Sequence, residues 1–301
     1  MVTEQDIALG RDAGPFDRGD IVIGAIAGDI VGHPYEFHSI KTTEFQLFTR
    51  KSTISDDTVM TIAILDALLD YDEKIGFVRP ETVDREALSK LFVSSMRSFG
   101  RAYPNAGYGR SFRKWLYDEP AKPYYSFGNG SAMRISPIPA YFEDYGFIGD
   151  VAEASAAVTH NHPEGIAGAK AVADAIFFAA CRGREAREKE EIKTIINTKY
   201  GYDLDRTVAE IRPGYSFDVT CHGSIPEAII CFLEGDSFEE VLRLAVSLGG
   251  DSDTQAAIAG SIAAARYGVP AEIKAETIKR LPDDLLAVYR RFEEQTNPEL
   301  P

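Results

Sequence analysis

The sequence predicts an all-α fold, a single multi-helix domain. Three observations carry that prediction. Apolar residues recur in long runs at three- and four-residue spacing, the period of a helix face. Clean period-two alternation is rare, with Ser216 to Cys221 the best short exception. No Pro-, Gly- or Ser-rich linker divides the 301 residues, a length at the upper end of one domain.

The opening segment carries Glu4, Asp6, Asp12, Asp17 and Asp20 without an apolar core, so residues 1–20 read as a flexible tail before a domain over 21–301. Ile21 to Val31 is the first strong helix. Its glycines, with Gly32, recur as Gly24, Gly28 and Gly32, one stripe of a helix. Each interior glycine costs a helix about 1 kcal/mol, so the stripe implies close approach of another backbone. His33-Pro34 ends that helix. Thr58 to Tyr71 is apolar on nearly all sides and reads as a central helix, and Glu86 to Gly100 has amphipathic spacing.

Residues 101–137 change character. They are rich in Gly, Pro, Asn, Ser and Tyr, as expected of an irregular binding surface. Val151 to Val158 and Gly165 to Ala180 read as helices separated by Thr159-His160-Asn161-His162-Pro163. Residues 182–195 are densely charged, an exposed turn and helix start. Pro226 to Leu233, Phe238 to Leu248, Thr254 to Tyr267 and Asp283 to Glu294 complete the helices.

Composition narrows function. Lys plus Arg number 32 against 47 Asp plus Glu, a formal charge of −15, which disfavours general binding to nucleic acid or anionic lipid. Arg101, Arg110, Arg113 and Lys114 leave two readings open, a local pocket for a phosphorylated small molecule or a solvated helix face. Cys181, Cys221 and Cys231 have no CxxC spacing and suit a reducing compartment. With no signal-type segment and no uncharged run of membrane-spanning length, a soluble cytoplasmic protein is expected.

Two acidic clusters carry the chemistry: Ser55-Asp56-Asp57-Thr58 and Asp251-Ser252-Asp253-Thr254. Each precedes a long apolar run. Taken singly, each is explained as a helix N-cap. Capping needs one oxygen, however, and each cluster offers several beside a helix too apolar for the surface. Carboxylates drawn together into a core repel one another and carry desolvation costs. Bound hard cations, Mg²⁺ or Mn²⁺, relieve both, and shared protons are the other remedy. Gly249-Gly250 before Asp251 would let the backbone turn tightly. The reading is a two-cluster metal site and a metal-assisted hydrolase. His160 and His162 do not make a zinc site, since no further His or Cys stands at suitable spacing.

These residues, in order, resemble the ADP-ribosylglycohydrolase family, which includes dinitrogenase reductase-activating glycohydrolases and ADP-ribosyl-acceptor hydrolases. The resemblance runs through Gly24-Ala25-Ile26-Ala27-Gly28-Asp29 with Glu36, Ser55-Asp56-Asp57-Thr58, Gly128-Asn129-Gly130-Ser131-Ala132-Met133-Arg134, Thr159-His160 and Gly249-Gly250-Asp251-Ser252-Asp253-Thr254. It implies an all-α domain with two Mg²⁺ or Mn²⁺ ions in a central cleft, held by Ser55, Asp56, Asp57, Asp251, Asp253 and Thr254. The family more often has Thr where this chain has Ser55. It implies a cradle for ADP-ribose from Gly128, Asn129, Gly130, Ser131 and Met133, with Tyr108 and Gly109 on the phosphate side and His160 at the cleft. Glu36, Asp56 and Asp57 become the candidates for proton transfer.

The activity implied is metal-dependent release of ADP-ribose from an ADP-ribosylated protein or small acceptor, by cleavage at the anomeric carbon of the distal ribose. Two rivals remain: a two-metal nucleotide phosphohydrolase, and a non-catalytic ADP-ribose-binding protein.

Overall fold

Why the glycine stripe exists is answered by the partner it meets. The computed structural model describes residues 17–75, 84–181 and 186–296. Its first helix, α1 (Gly19–Gly32), is buried along almost its whole length and makes its most extensive contact with α12 (Ser252–Tyr267). A Cβ on Gly28 would lie 2.0 Å from the Ala256 carbonyl oxygen, and one on Gly32 2.3 Å from that of Ser252. The approach is reciprocal, for a Cβ on Gly260 would lie 2.6 Å from the Gly24 carbonyl oxygen. Backbone thus packs on backbone, as the stripe predicts. The contact lays the C-terminal end of α1 against the first turn of α12.

Around this pair stand α2 (Asp56–Ile75), α3 (Arg85–Ala102), α4 (Arg110–Trp115), α5 (Pro137–Tyr141), α6 (Tyr145–Ala157), α7 (Pro163–Ala180), α8 (Lys189–Tyr200), α9 (Val208–Ile211), α10 (Cys221–Glu234), α11 (Phe238–Ser247), α13 (Ala271–Ile278) and α14 (Asp283–Thr296). The expected all-α class holds, with no strand among the described residues. α7, α10 and α11 pack on α12, while α3 and α14 pack on α2. α2 lies against α1 and is the central helix the sequence predicts, buried from Asp57 to Leu69 apart from Leu65's neighbour Asp66.

Local chemistry sets the ends. Asp84 caps α3, its carboxylate accepting from the amides of Glu86 and Ala87 at 3.0 Å each. His162 caps α7 through Nδ1, which accepts from the Glu164 amide at 3.1 Å, and Pro163 follows at the first helical position. Asp17 and Asp20 belong to the packed body. Lys274 donates to both, at 2.9 and 3.2 Å, and the Val269 amide donates to Asp20 at 3.0 Å. The rest of the expected tail, residues 1–16, lies outside the described residues, as do 182–185 of the charged segment.

Ser216 to Cys221 is not a strand. It makes one isolated antiparallel bridge, Thr220 with Gly128, because Cys221 already opens α10. The irregular stretch 101–137 contains α4 and a 3-10 turn over Asn129–Ser131, and α6 begins six residues before Val151. Cys221 and Cys231 are buried free thiols. Among the described residues no helix is long and apolar enough to cross a membrane.

Candidate active site

The two acidic clusters meet at the joined ends of α1, α2 and α12. Asp29, the lone acid in the apolar run of α1, is fully buried and reaches across to α2. Its Oδ2 accepts from the amides of Ser55 (2.9 Å) and Thr58 (3.1 Å) and from the Thr58 hydroxyl. A carboxylate from one helix thereby caps another, and fixes where the first cluster sits. The Asp57 Oδ2 then accepts from the Thr254 hydroxyl at 3.1 Å and from the Ser55 hydroxyl at 3.3 Å, which ties the clusters directly. A third segment joins through Asn129, whose side-chain amide donates to Asp251 at 2.7 Å.

Asp253 stands at the centre of two groupings that could hold a metal ion. Glu36, Asp251 and Asp253 each offer an oxygen within 4.8 Å of the others, and Asp29, His33 and Asp253 do the same with one nitrogen. The all-oxygen set suits a hard divalent cation better than the set with an imidazole. Asp56 and Asp57 line the same cleft without entering either tight grouping. The residues fit a cation on a second ground. Asp57 Oδ1 and Asp29 Oδ1 are buried with no hydrogen-bond partner, an arrangement costly for a carboxylate unless a positive charge faces it.

Electrostatics say the same. Burial first, and then the charge of Asp253, push Asp29 up to about 6 and Asp56 up to about 8. The same two causes push Glu36 up to about 8 and raise Asp57 and Asp251 well above the usual carboxylate range. Carboxyls raised in the folded state bind protons that the unfolded chain releases near pH 4. Their stabilising share is therefore complete below about pH 4 and is lost as pH rises through the folded values, about 6 for Asp29 and about 8 for Glu36 and Asp56. In chelator the thermal midpoint should fall as pH rises across that window, and saturating Mg²⁺ should flatten the fall. A chelated protein that grows more stable toward pH 8 would contradict the crowding.

The acids open into a cleft of about 430 Å³. Gly109, Gly128, Asn129, Gly130, Met133 and His160 line it, together with Glu36, Asp56, Asp57, Asp251, Asp253 and Thr254. Three expected site residues stand behind its wall. Ser55 spends its hydroxyl on Asp57. Ser131 is fully buried and donates to the Gly165 carbonyl at 2.7 Å, because the tight 3-10 turn faces it inward. Tyr108 is buried with its ring 5.3 Å from that of Phe112, so it supports the wall that its neighbours Gly107 and Gly109 line. Of the basic stretch, Arg110 alone lines the cleft, while Arg101 is held by the Leu116 carbonyl at 2.8 Å.

His160 is held at the cleft by a buried polar chain. Arg134 donates to the Thr159 hydroxyl oxygen at 2.8 Å, and Thr159 lies 2.7 Å from His160 Nδ1. The hydroxyl oxygen has two lone pairs, so it accepts from arginine whichever of Thr159 and the ring donates in their shared hydrogen bond. Burial, reinforced by the Arg134 charge, holds the imidazole well below its ordinary pKa and keeps it neutral. Nε2 lies where a Cβ on Gly130 would come within 3.2 Å, which puts an uncharged polar ring on the glycine-rich wall. Arg134, Asp29, His33 and the rim aromatics Phe37 and Phe217 carried no sequence-level role. Asp29 and Arg134 stand in the motifs of the resemblance without a role of their own.

The chain is similar to known proteins over most of its length. A family model described as ADP-ribosylglycohydrolase matches residues 18–299. The chain is 26% identical to the ADP-ribosylhydrolase ARH3 of Mus musculus, over 82% of each chain. It is 25% identical to the ADP-ribosyl-[dinitrogen reductase] glycohydrolase of Rhodospirillum rubrum, covering 82% of this chain and 84% of that one. A solved structure titled ADP-ribosylglycohydrolase-related protein complex superposes with a TM-score of 0.63 at 24% identity, covering 93% of this chain and 99% of the other, a likeness of fold.

Proposed function

We propose, from the premise that this chain belongs to the ADP-ribosylglycohydrolase family, that it hydrolyses the bond between the anomeric carbon of ADP-ribose and an acceptor, in the cytoplasm, with two divalent cations. The observation that carries this reading is the meeting of the two acidic clusters, closed by the Thr254–Asp57 hydrogen bond, beside a glycine-rich wall.

Mg²⁺ or Mn²⁺ would be held by Asp56, Asp57, Asp251 and Asp253, with oxygens of Ser55 and Thr254 in support. When bound, such ions supply positive charge that orients sugar hydroxyls and acidifies water. The chain's own residues do the rest. Gly128 and Gly130 leave room for backbone amides to approach a pyrophosphate, and Asn129 holds Asp251 in place. Met133 offers an apolar contact, and His160 offers Nε2 as a hydrogen-bonding atom without adding charge. Glu36, with a carboxyl pushed up to about 8, can carry a proton at neutral pH to or from the reacting oxygen, and Asp56 is placed to share that work.

The test is a panel of ADP-ribosylated substrates of defined linkage, assayed with Mg²⁺, with Mn²⁺ and with chelator. Free ADP-ribose is the expected product, formed only with metal. AMP or inorganic phosphate would instead mark a nucleotide phosphohydrolase, and ADP-ribose binding without turnover a binding protein.

A further inference from the structure

Glu36 lies in a segment with little helical support, yet it faces Asp251 and Asp253 across the cleft. It stands at the end of a three-residue 3-10 turn, His33–Tyr35, followed by a long irregular run. Something other than its own backbone must hold it. Ser252 of α12 donates to the Tyr35 carbonyl at 3.5 Å and His33 Nδ1 lies 3.6 Å from Asp253, and two further contacts lead to the loop before α10. The ring of Phe37 stacks on that of Phe217 at 6.0 Å between centroids and 28° between planes. Lys41 donates to the Tyr215 carbonyl at 2.6 Å, and also to that of Leu248.

The same loop is fastened at its other end to the glycine-rich wall. The Asn129 amide donates to the Val219 carbonyl at 2.8 Å, and the Cys221 amide to the Phe127 carbonyl at 2.9 Å. Its base is fixed as well, for Gln255 of α12 donates to the Tyr215 hydroxyl at 2.8 Å. Residues 215–221 are therefore a rigid strap from the glycine-rich wall to the segment bearing Glu36. Phe37 and Phe217 are 76% and 48% exposed, far more than a pair kept only for the core. Both line the cleft mouth.

We propose that Phe217 is a positioning residue: stacked on Phe37, it latches the Glu36 segment to the strap and so holds Glu36 over the acidic centre. This rests on the proton-transferring role given to Glu36 above. The latch acts on the chemical step and not on the affinity for ADP-ribose, whose cradle lies at the strap's far end. An acceptor-binding face on the same rings would behave oppositely, changing KM and acceptor preference.

A double-mutant cycle separates these cases. The variants are Phe217→Ala, Glu36→Gln and both together, with turnover measured on the ADP-ribosylated peptide of the panel that is cleaved fastest. Phe217→Ala should lower kcat by about fivefold, the factor a single stacked pair can hold in a two-state segment, with KM unchanged. ADP-ribose binding, by calorimetry in millimolar Mg²⁺, should also be unchanged. Phe217→Tyr should restore kcat. In the Glu36→Gln background the loss of Phe217 should cost nothing further. An equal loss of rate in both backgrounds, or a raised KM at wild-type kcat, would overturn the latch. Should Glu36→Gln alone turn over like the wild type, the latch falls with the role of Glu36, while the product assay still decides the hydrolase reading. Phe217→Leu, which keeps apolar bulk but loses the stack, replaces the alanine variant if that one folds poorly.

Discussion

Asparagine at position 253 should bring turnover down by on the order of 10³-fold or more, the several kcal/mol that a bound cation contributes to a transition state. Asp253 is the acid common to both groupings able to hold a metal ion. Its charge also appears among the causes that raise Asp29, Glu36, Asp56, Asp57 and Asp251. One substitution therefore has two effects of opposite sign. Without metal, removing the charge relieves repulsion, so the variant should melt no lower than the wild type in chelator, and higher near pH 8. With metal, the variant should lose most of the rise in midpoint that Mg²⁺ gives the wild type. Both readings come from one thermal series with and without chelator. A variant that keeps its rate and its full response to Mg²⁺ would remove Asp253 from the centre of the site.

Alanine in place of Gly28 should destabilise the fold by about 3 kcal/mol, the upper range for an overpacked core. Here the added carbon meets main chain, 2.0 Å from the Ala256 carbonyl oxygen and 2.3 Å from its carbon. Trimming a side chain cannot relieve that, so Ala256→Gly should not rescue it. Gly24 offers the contrast. Its nearest neighbour is the Ala264 methyl at 2.4 Å, with the Gly260 carbonyl oxygen next at 2.8 Å. Ala264→Gly should accordingly recover part of the loss in Gly24→Ala. Urea unfolding of the four variants checks both statements, and equal rescue at the two positions would show that the helices slide apart instead of clashing. Because α1 carries Asp29 and α12 carries Asp253, Gly28→Ala should also weaken the response to Mg²⁺.

Much of this was legible in the sequence. The helix that follows each acidic cluster is long and strongly apolar, and the glycine stripe announced a backbone partner without naming it. The acids themselves declared a cluster, since capping could not account for so many oxygens. What stayed hidden depends on tertiary placement. Asp29 reads as one polar interruption in an apolar helix until α2 is laid beside it. Ser131 and Tyr108 sit in short turns, where the direction of a side chain follows from a 3-10 bend and a positive-φ glycine at 107, not from any period. Alternation over Ser216 to Cys221 suggested a strand, whereas the segment is a strap with one bridge, its register set by the glycine-rich wall. Helices as short as α4, α5 and α9 have too few turns to show a pattern.

The hydrogen bond from Thr254 to Asp57 spans 197 positions, and α12 is the mate of α1, the earliest helix among the described residues. A nascent chain therefore holds α1 without its counterpart until α2 to α11 and α12 itself have been synthesised. That apolar surface must wait, shielded by other contacts or by chaperones, and the two acidic clusters cannot meet before α12 has emerged.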